Sequence, residues 1–150
     1  MKIRTDFVTN SSSSSFIIVF NNEEDAKQSY DKMIKEGLEK QYVEVIYNDI
    51  LNERKTYEEV IEALSSNIDV YYEYRRMYPD SQYRFWEDPR YEELRNQTKE
   101  RIINRFKETV SPDKYLAIIE YGDESGSFYS DLEHKIVPEL DFVYATINNH

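Results

Sequence analysis

The hydrophobic pattern along the chain predicts four β-strands. Residues 16–20 (FIIVF) form an uninterrupted apolar run between polar flanks, which favours a buried strand. Residues 42–47 (YVEVIY) alternate loosely between apolar and polar and predict a second strand. Residues 115–121 (YLAIIEY) predict a central strand, and residues 140–147 predict the last one. One face of that last strand is expected to carry Leu140, Phe142 and Tyr144.

Two shorter helices are predicted by capping signals that precede residues at helical spacing. Asn22 is a suitable N-cap, and the three acids after it favour the positive end of a helix dipole. Gly37 is placed to end this first helix. Thr56 and Glu59 form the capping box of a second helix.

The clearest predicted element is a long helix between Asp88 and Pro112. Asp88 is placed to cap it, Pro89 suits the first helical position, and Ser111 with Pro112 closes it. One stripe at helical spacing holds Tyr91, Leu94, Thr98, Ile102, Phe106 and Val110. Several like charges stand four residues apart and repel each other, so surface ion pairing does not stabilise this helix. We expect burial of the apolar stripe to stabilise it instead.

Together these elements predict an α+β fold in a single domain spanning residues 1–150. Helices are grouped centrally, with strands towards both ends of the chain. We expect a small mixed β-sheet of about four strands, with about three helices packed on one face. A chain of 150 residues with 39% hydrophobic side chains is large enough to bury such a core.

Composition excludes several classes of chemistry. The chain has no cysteine, which excludes thiol catalysis and thiolate-bound metals. No apolar run approaches the ~18 residues that a membrane span needs. Lys2 and Arg4 are followed by Asp6 and polar residues rather than a signal h-region, so we expect a cytoplasmic protein that does not bind membranes.

The net charge is −11 and is unevenly distributed. Residues 1–70 carry 8 basic and 14 acidic side chains, residues 92–150 carry 7 and 12, and residues 71–91 carry 4 of each. The acidity argues against general binding to nucleic-acid backbone, which depends on Lys and Arg. The acidic flanks indicate either an ordinary solvated surface or a face that meets a basic partner or imitates nucleic acid.

Residues 9–15 (TNSSSSS) form the single low-complexity segment and predict a flexible or surface-lying entry to the first strand. An alternative is that the hydroxyl and backbone N–H groups cradle an anion or accept phosphate. A phosphate loop is disfavoured because the segment precedes a strand and contains no glycine.

The segment from Arg4 to Ile17 (RTDFVTNSSSSSFI) resembles the opening of a group of uncharacterised bacterial and phage or prophage proteins that begin with F-V-T-N-S-S-S-S-S-F. Residues 121–123 (YGD), 132–134 (LEH) and 149–150 (NH) are similar to the C-terminal parts of that group, from which Glu124 and Asn149 depart. The resemblance covers about forty residues at the two ends of the chain. It implies an accessory protein of a mobile element and assigns no activity to any residue.

The candidate metal ligands lie near one of the two histidines. Asp123, Asp131, Glu133 and His134 offer mixed nitrogen and oxygen donors, so a divalent-metal site is one hypothesis. The calcium-loop template fails, because Phe128 occupies its sixth position and His134 its twelfth. No serine lies in a nucleophile-elbow sequence. We therefore expect no cofactor, and a metal-dependent hydrolase remains the alternative.

The central segment, residues 71–91, carries no net charge and is the most distinctive part of the chain, because aromatic residues there alternate with arginines. Tyr, Trp and Arg dominate the binding energy of protein interfaces, and the same mixture also stacks on single-stranded bases. The competing interpretation assigns half of the rings to the core and pairs the arginines with local acids. We predict a partner-binding surface made by Tyr71, Tyr72, Tyr74, Arg75, Arg76, Tyr78, Arg84, Trp86 and Arg90.

These observations predict a non-enzymatic, acidic protein-binding module that serves as an accessory or inhibitor protein of a phage or mobile element. Its partner is expected to be another protein, with a basic surface if the acidic flanks make the contact. Nucleic acid is disfavoured because the central segment is neutral within an acidic chain. A self-associating structural protein is the remaining alternative.

Overall fold

The computed structural model describes residues 2–4, 13–122 and 126–149. Within this part the strands are β1 (Lys2–Arg4), β2 (Ser13–Phe20), β3 (Tyr115–Gly122) and β4 (Val143–Asn149). The α-helices are α1 (Glu23–Lys35), α2 (Lys40–Asn52), α3 (Tyr57–Ser66), α4 (Tyr71–Met77), α5 (Pro89–Thr109) and α6 (Ser127–Asp131). A π-helical turn (Leu132–Ile136) and two 3₁₀ turns (Phe85–Glu87 and Val137–Glu139) complete the regular structure.

The strands form a sheet in the order β1-β4-β2-β3. Strand β2 is antiparallel to both β3 and β4, and the three-residue β1 adds to β4 in parallel. The expected α+β class is confirmed. The described residues hold six α-helices rather than about three, because α2 occupies a predicted strand and because α4 and α6 are short helices outside the three predicted ones.

Helices cover both faces of the sheet, so the expectation of helices on one face is wrong. On one side, Phe16, Ile18 and Phe20 pack with buried residues of α1 and α2. On the other, Ile17 packs with buried residues of α3 and α5. This coverage explains the uninterrupted apolar run of residues 16–20, because a strand that is covered on both faces needs apolar side chains at every position.

Residues 42–47, expected to form a strand, lie inside α2. Val43, Ile46 and Ile50 are its buried residues, at spacings of three and four that place them on one helical face. The six residues 42–47 are too few to distinguish the period of about 3.6 residues in a helix from the two-residue alternation of a strand.

The last strand begins at Val143, and its expected face is also wrong. Phe142 and Leu140 pack in the α1–α2 core, whereas Tyr144 packs against the α3–α5 core. The register of β4 against β2 shifts between Ile17 and Ile18, which breaks the strict alternation of side chains.

The helix starts agree with their capping signals. Asn22 accepts a hydrogen bond from the backbone of Asp25, and Thr56 forms both halves of its capping box with Glu59. Gly37, just beyond α1, has a φ of 94°, a left-handed conformation that suits glycine. Asp88 caps α5.

The serine-rich segment is partly strand. Residues 13–15 open β2, and the hydroxyl of the buried Ser14 lies 2.8 Å from Glu133 Oε2 and from Asn148 Oδ1. Residues 9–12 lie outside the described part of the chain. Across the part that is described, no helix has the length and apolarity needed to cross a membrane.

Burial on both faces predicts that two adjacent residues of β2 are equally sensitive to truncation. Ile17→Ala and Ile18→Ala should each lower the free energy of unfolding by about 2–5 kcal/mol, because each leaves a cavity in a separate core. Urea denaturation measures both, with the exposed Ile34→Ala as a control expected to change little. A near-neutral effect at either position would mean that one face of the sheet is uncovered.

Candidate functional site

The central segment, residues 71–91, folds into α4, a turn and the start of α5, and its rings are connected by contacts. Tyr71 touches Tyr72 and Phe85, with ring centroids 5.3 and 5.0 Å apart. Phe85 in turn touches Trp86 at 4.8 Å and Tyr91 at 4.9 Å. Such mutual contacts fix ring orientations and add stability beyond the buried area.

Much of this aromatic cluster remains accessible to solvent. Five large apolar side chains are exposed in the described part of the chain, and four of them belong to residues 71–91: Tyr72 (58%), Met77 (53%), Tyr83 (58%) and Trp86 (63%). The fifth, Ile34, is 40% exposed and lies in α1. Exposed apolar groups concentrated in one segment mark contact surfaces more often than single scattered ones do.

Two arginines lie against these rings. The guanidinium of Arg84 lies 5.7 Å from the centroid of Trp86. That of Arg75 lies 5.4 Å from Tyr71, and its Nε donates a hydrogen bond of 3.3 Å to the Tyr71 hydroxyl. We refer to Tyr71, Tyr72, Arg75, Arg84, Phe85 and Trp86 as the aromatic–arginine surface.

Tyr74 has a different position from the one that the sequence predicted. It is fully buried, and it belongs to neither of the two cores that cover the sheet. Its ring contacts Tyr78 and Tyr91, at 5.6 and 5.5 Å. Tyr74 therefore supports the segment from beneath and is not available to a partner.

The Tyr74 hydroxyl donates a hydrogen bond to the carboxylate of Asp88, whose side chain is 1% exposed. The Asp88 carboxylate also accepts from the Arg90 side chain, with Nη2 at 2.8 Å from Oδ2, and caps α5 by accepting from the Arg90 backbone N–H at 3.0 Å. Ser81 bonds to the same tyrosine hydroxyl at 2.8 Å. These four residues form the Asp88 network, which ties α4, the turn and α5 together.

The Asp88 network has a clear electrostatic consequence. The hydrogen bonds from the Arg90 guanidinium hold the pKa of Asp88 well below its usual range, and the Tyr74 hydroxyl adds to this effect against the opposing effect of burial. Arg90 also lies over the ring of Tyr78, 4.0 Å from its centroid. Because Arg90 is committed to these two partners, it serves the fold more than a contact surface.

The nine predicted surface residues therefore divide into groups. Tyr71, Tyr72, Arg75, Arg84 and Trp86 lie in the aromatic–arginine surface, and Arg76 is exposed in α4. Tyr74, Tyr78 and Arg90 belong to the supporting structure. The prediction missed Met77 and Tyr83, which are both exposed, and omitted Phe85, whose half-buried ring joins the others.

Three of the four candidate metal ligands lie in the described part of the chain, at the end of α6 and in the π-helical turn that follows it. Asp123 lies outside the described residues. Asp131 pairs with Lys135 at 3.3 Å, whereas Glu133 is buried and lies 3.2 Å from Nε2 of His134. Among the residues that are described, no group of three or more His, Asp or Glu side chains is arranged to hold a metal ion.

A groove that the sequence analysis did not predict lies between α1, the end of β2 and the two residues that precede β4. Its volume is about 920 Å³, and its apolar lining includes Val19, Phe20, Ile34 and Phe142. Lys32 and Asp141 form an ion pair at its edge.

Comparison with protein-family models, with curated proteins and with solved structures gives no match for this chain. The assignment of a role to the aromatic–arginine surface rests on its own geometry.

The buried position of Tyr74 predicts a loss of stability on its truncation. Tyr74→Ala should lower the free energy of unfolding by about 3–5 kcal/mol, because it opens a cavity and removes a hydrogen bond to a buried carboxylate. Tyr72→Ala is the matched control, since the same truncation at an exposed site should cost little. Equal stability of the two variants would place Tyr74 on the surface.

The depressed pKa of Asp88 predicts a specific pH dependence. Ionised Asp88 stabilises the fold above its unfolded-state pKa of about 3.9, and this contribution is lost as the pH falls towards the lower folded-state value. Asp88→Asn keeps a capping oxygen but removes the charge. It should therefore be less stable at neutral pH and lose less stability on acidification.

Urea denaturation at several pH values between neutral and about pH 3 measures this effect. Asp80→Asn, an exposed carboxylate in the same segment, is the control and should follow the wild-type curve. If Asp88→Asn also follows the wild-type curve, displaced by a constant amount, then the Asp88 charge does not stabilise the fold.

Proposed function

We propose that this chain is a non-enzymatic protein-binding module whose contact is the aromatic–arginine surface. The observation that carries the proposal is the exposure of Tyr72 and Trp86 within a set of rings that touch one another. Burying exposed aromatic area against a partner is favourable, and Tyr, Trp and Arg supply most of the energy at interface centres.

The rigidity of the surface supports the same proposal. Phe85 is held between Tyr71 and Tyr91, and Tyr91 contacts the buried Tyr74. The rings presented to solvent are thus connected to the Asp88 network beneath them. A contact surface whose side chains are already ordered loses less conformational entropy on binding, which favours affinity.

The wider role that we propose is that of an accessory or inhibitor protein of a phage or mobile element, acting in the cytoplasm. The resemblance of residues 4–17 to bacterial and phage or prophage proteins supports this setting. The acidic flanks, which give the chain its net charge of −11, keep it in solution and disfavour nucleic acid as the partner.

Replacement of Trp86 by Ala should abolish capture of the partner from a host-cell lysate, because it removes the most exposed ring of the surface. The melting temperature should change little, since Trp86 contributes little buried area. Ile34→Ala is the matched control, an exposed apolar truncation elsewhere that should leave capture intact. Captured proteins are identified by mass spectrometry.

Capture that is unaffected by Trp86→Ala and Tyr72→Ala would reject this surface as the contact. If the only captured protein is a second copy of this chain, and light scattering shows an oligomer, the structural alternative replaces the proposal.

A further inference from the structure

Resting on the proposed function, we infer that the partner segment seated on the aromatic–arginine surface is acidic, with carboxylates placed beside an apolar anchor. The net charge of the chain suggests the opposite, a basic partner, because 30 acidic residues outnumber 19 basic ones. The arrangement of the arginines within the aromatic–arginine surface favours an acidic partner segment instead.

Arg75 and Arg84 are positioned by rings rather than by acids. Arg84 lies over Trp86 and Arg75 over Tyr71, at 5.7 and 5.4 Å. A guanidinium held over a ring still has N–H groups at its rim, in the fork geometry that binds a carboxylate through two hydrogen bonds. The ring also limits its motion, so less entropy is lost when the carboxylate binds.

Within the described ranges of the chain, no acid pairs with these N–H groups. The ion pairs formed among the described residues involve neither Arg75, Arg76 nor Arg84. Arg90 provides the contrast within the same segment, because it is paired with the buried Asp88. The surface therefore presents two guanidinium groups, those of Arg75 and Arg84, that form no ion pair among the described residues, beside the exposed rings of Tyr72 and Trp86, and the exposed Arg76 lies in the same helix as Arg75.

Carboxylates of a protein fit this surface better than the phosphates of a nucleic acid. Duplex DNA carries one negative charge per about 1.7 Å of axis, so a polyanion would bring many negative charges to a chain whose own net charge is −11. A short acidic segment brings only a few charges, all close to the arginines. Repulsion from the rest of the molecule is then limited by screening beyond about 10 Å at 0.1 M salt.

Trp86 is the single tryptophan of the chain, and it provides a direct reporter of the local potential. Relative to the quenching of free N-acetyltryptophanamide by the same two ions, we expect its fluorescence to be quenched more effectively by iodide than by caesium, despite the net charge of −11. Arg84→Gln should weaken quenching by iodide, whereas Arg101→Gln, the same charge change on the exposed part of α5, should not. Stronger quenching by caesium would overturn the inference.

Binding is tested with two short peptides that differ only in their charged residues. The acidic peptide contains Glu, Pro and Phe, and the basic peptide has Lys at every position where the first has Glu. The emission of Trp86 reports binding of each. The acidic peptide should bind at least about tenfold more tightly, and Arg84→Gln should remove about tenfold, the loss expected for one charge-assisted hydrogen bond. Arg101→Gln should leave its affinity unchanged.

Preference for the basic peptide, or equal or undetectable binding of both peptides, would overturn the inference. Tighter binding of a single-stranded oligothymidine than of the acidic peptide would also overturn it and would assign the surface to nucleic acid. These results are separable from failure of the proposed function. If capture of the cellular partner depends on Trp86 but not on Arg75 and Arg84, the surface binds protein and only the acidic character of the partner is rejected.

Discussion

Burial of strand β2 on both faces is the constraint on which the rest of the structure depends. Adjacent residues Ile17 and Ile18 are fully buried in separate cores, and β2 is hydrogen-bonded to a neighbour on each side. Helices α1 and α2 occupy one face, and α3 and α5 occupy the other. The short helix α4 packs mainly against α5, so its rings are left outside both cores and some of them remain exposed.

The Asp88 network holds α4, the helix that lies outside both cores, in a defined position. A seven-residue helix has little stability of its own, so α4 depends on tertiary contacts. Asp88 provides them by joining the start of α5 to Tyr74 of α4. Because its partner Arg90 lies on the same helix end, the buried charge is compensated locally. The exposed rings are thereby held in place without being covered.

Features set by local chemistry were predictable from the sequence, and those set by distant contacts were not. The caps at Asn22, Thr56 and Asp88 depend on residues within a few positions, and all three are present. The unbroken apolar run of residues 16–20 fits a strand covered on both faces, but the prediction placed the helices on one face only, because which helix covers which face depends on distant contacts. The helical nature of residues 42–47 was hidden because its buried positions extend to Ile50. Within the central segment, the sequence indicated a cluster of rings and arginines, but the burial of Tyr74 depends on a carboxylate fourteen residues away.

The central claim is that residues 71–91 contact a protein partner while the covered sheet serves as their scaffold. Amide hydrogen exchange of the free protein and of its complex with the captured partner tests this most directly, since it reports protection along the whole chain. The account predicts that the protection gained on binding is concentrated in residues 71–91, with the amides of β2 and β3 unchanged. Gained protection confined to α1 and the groove beside it, with none in residues 71–91, would contradict it.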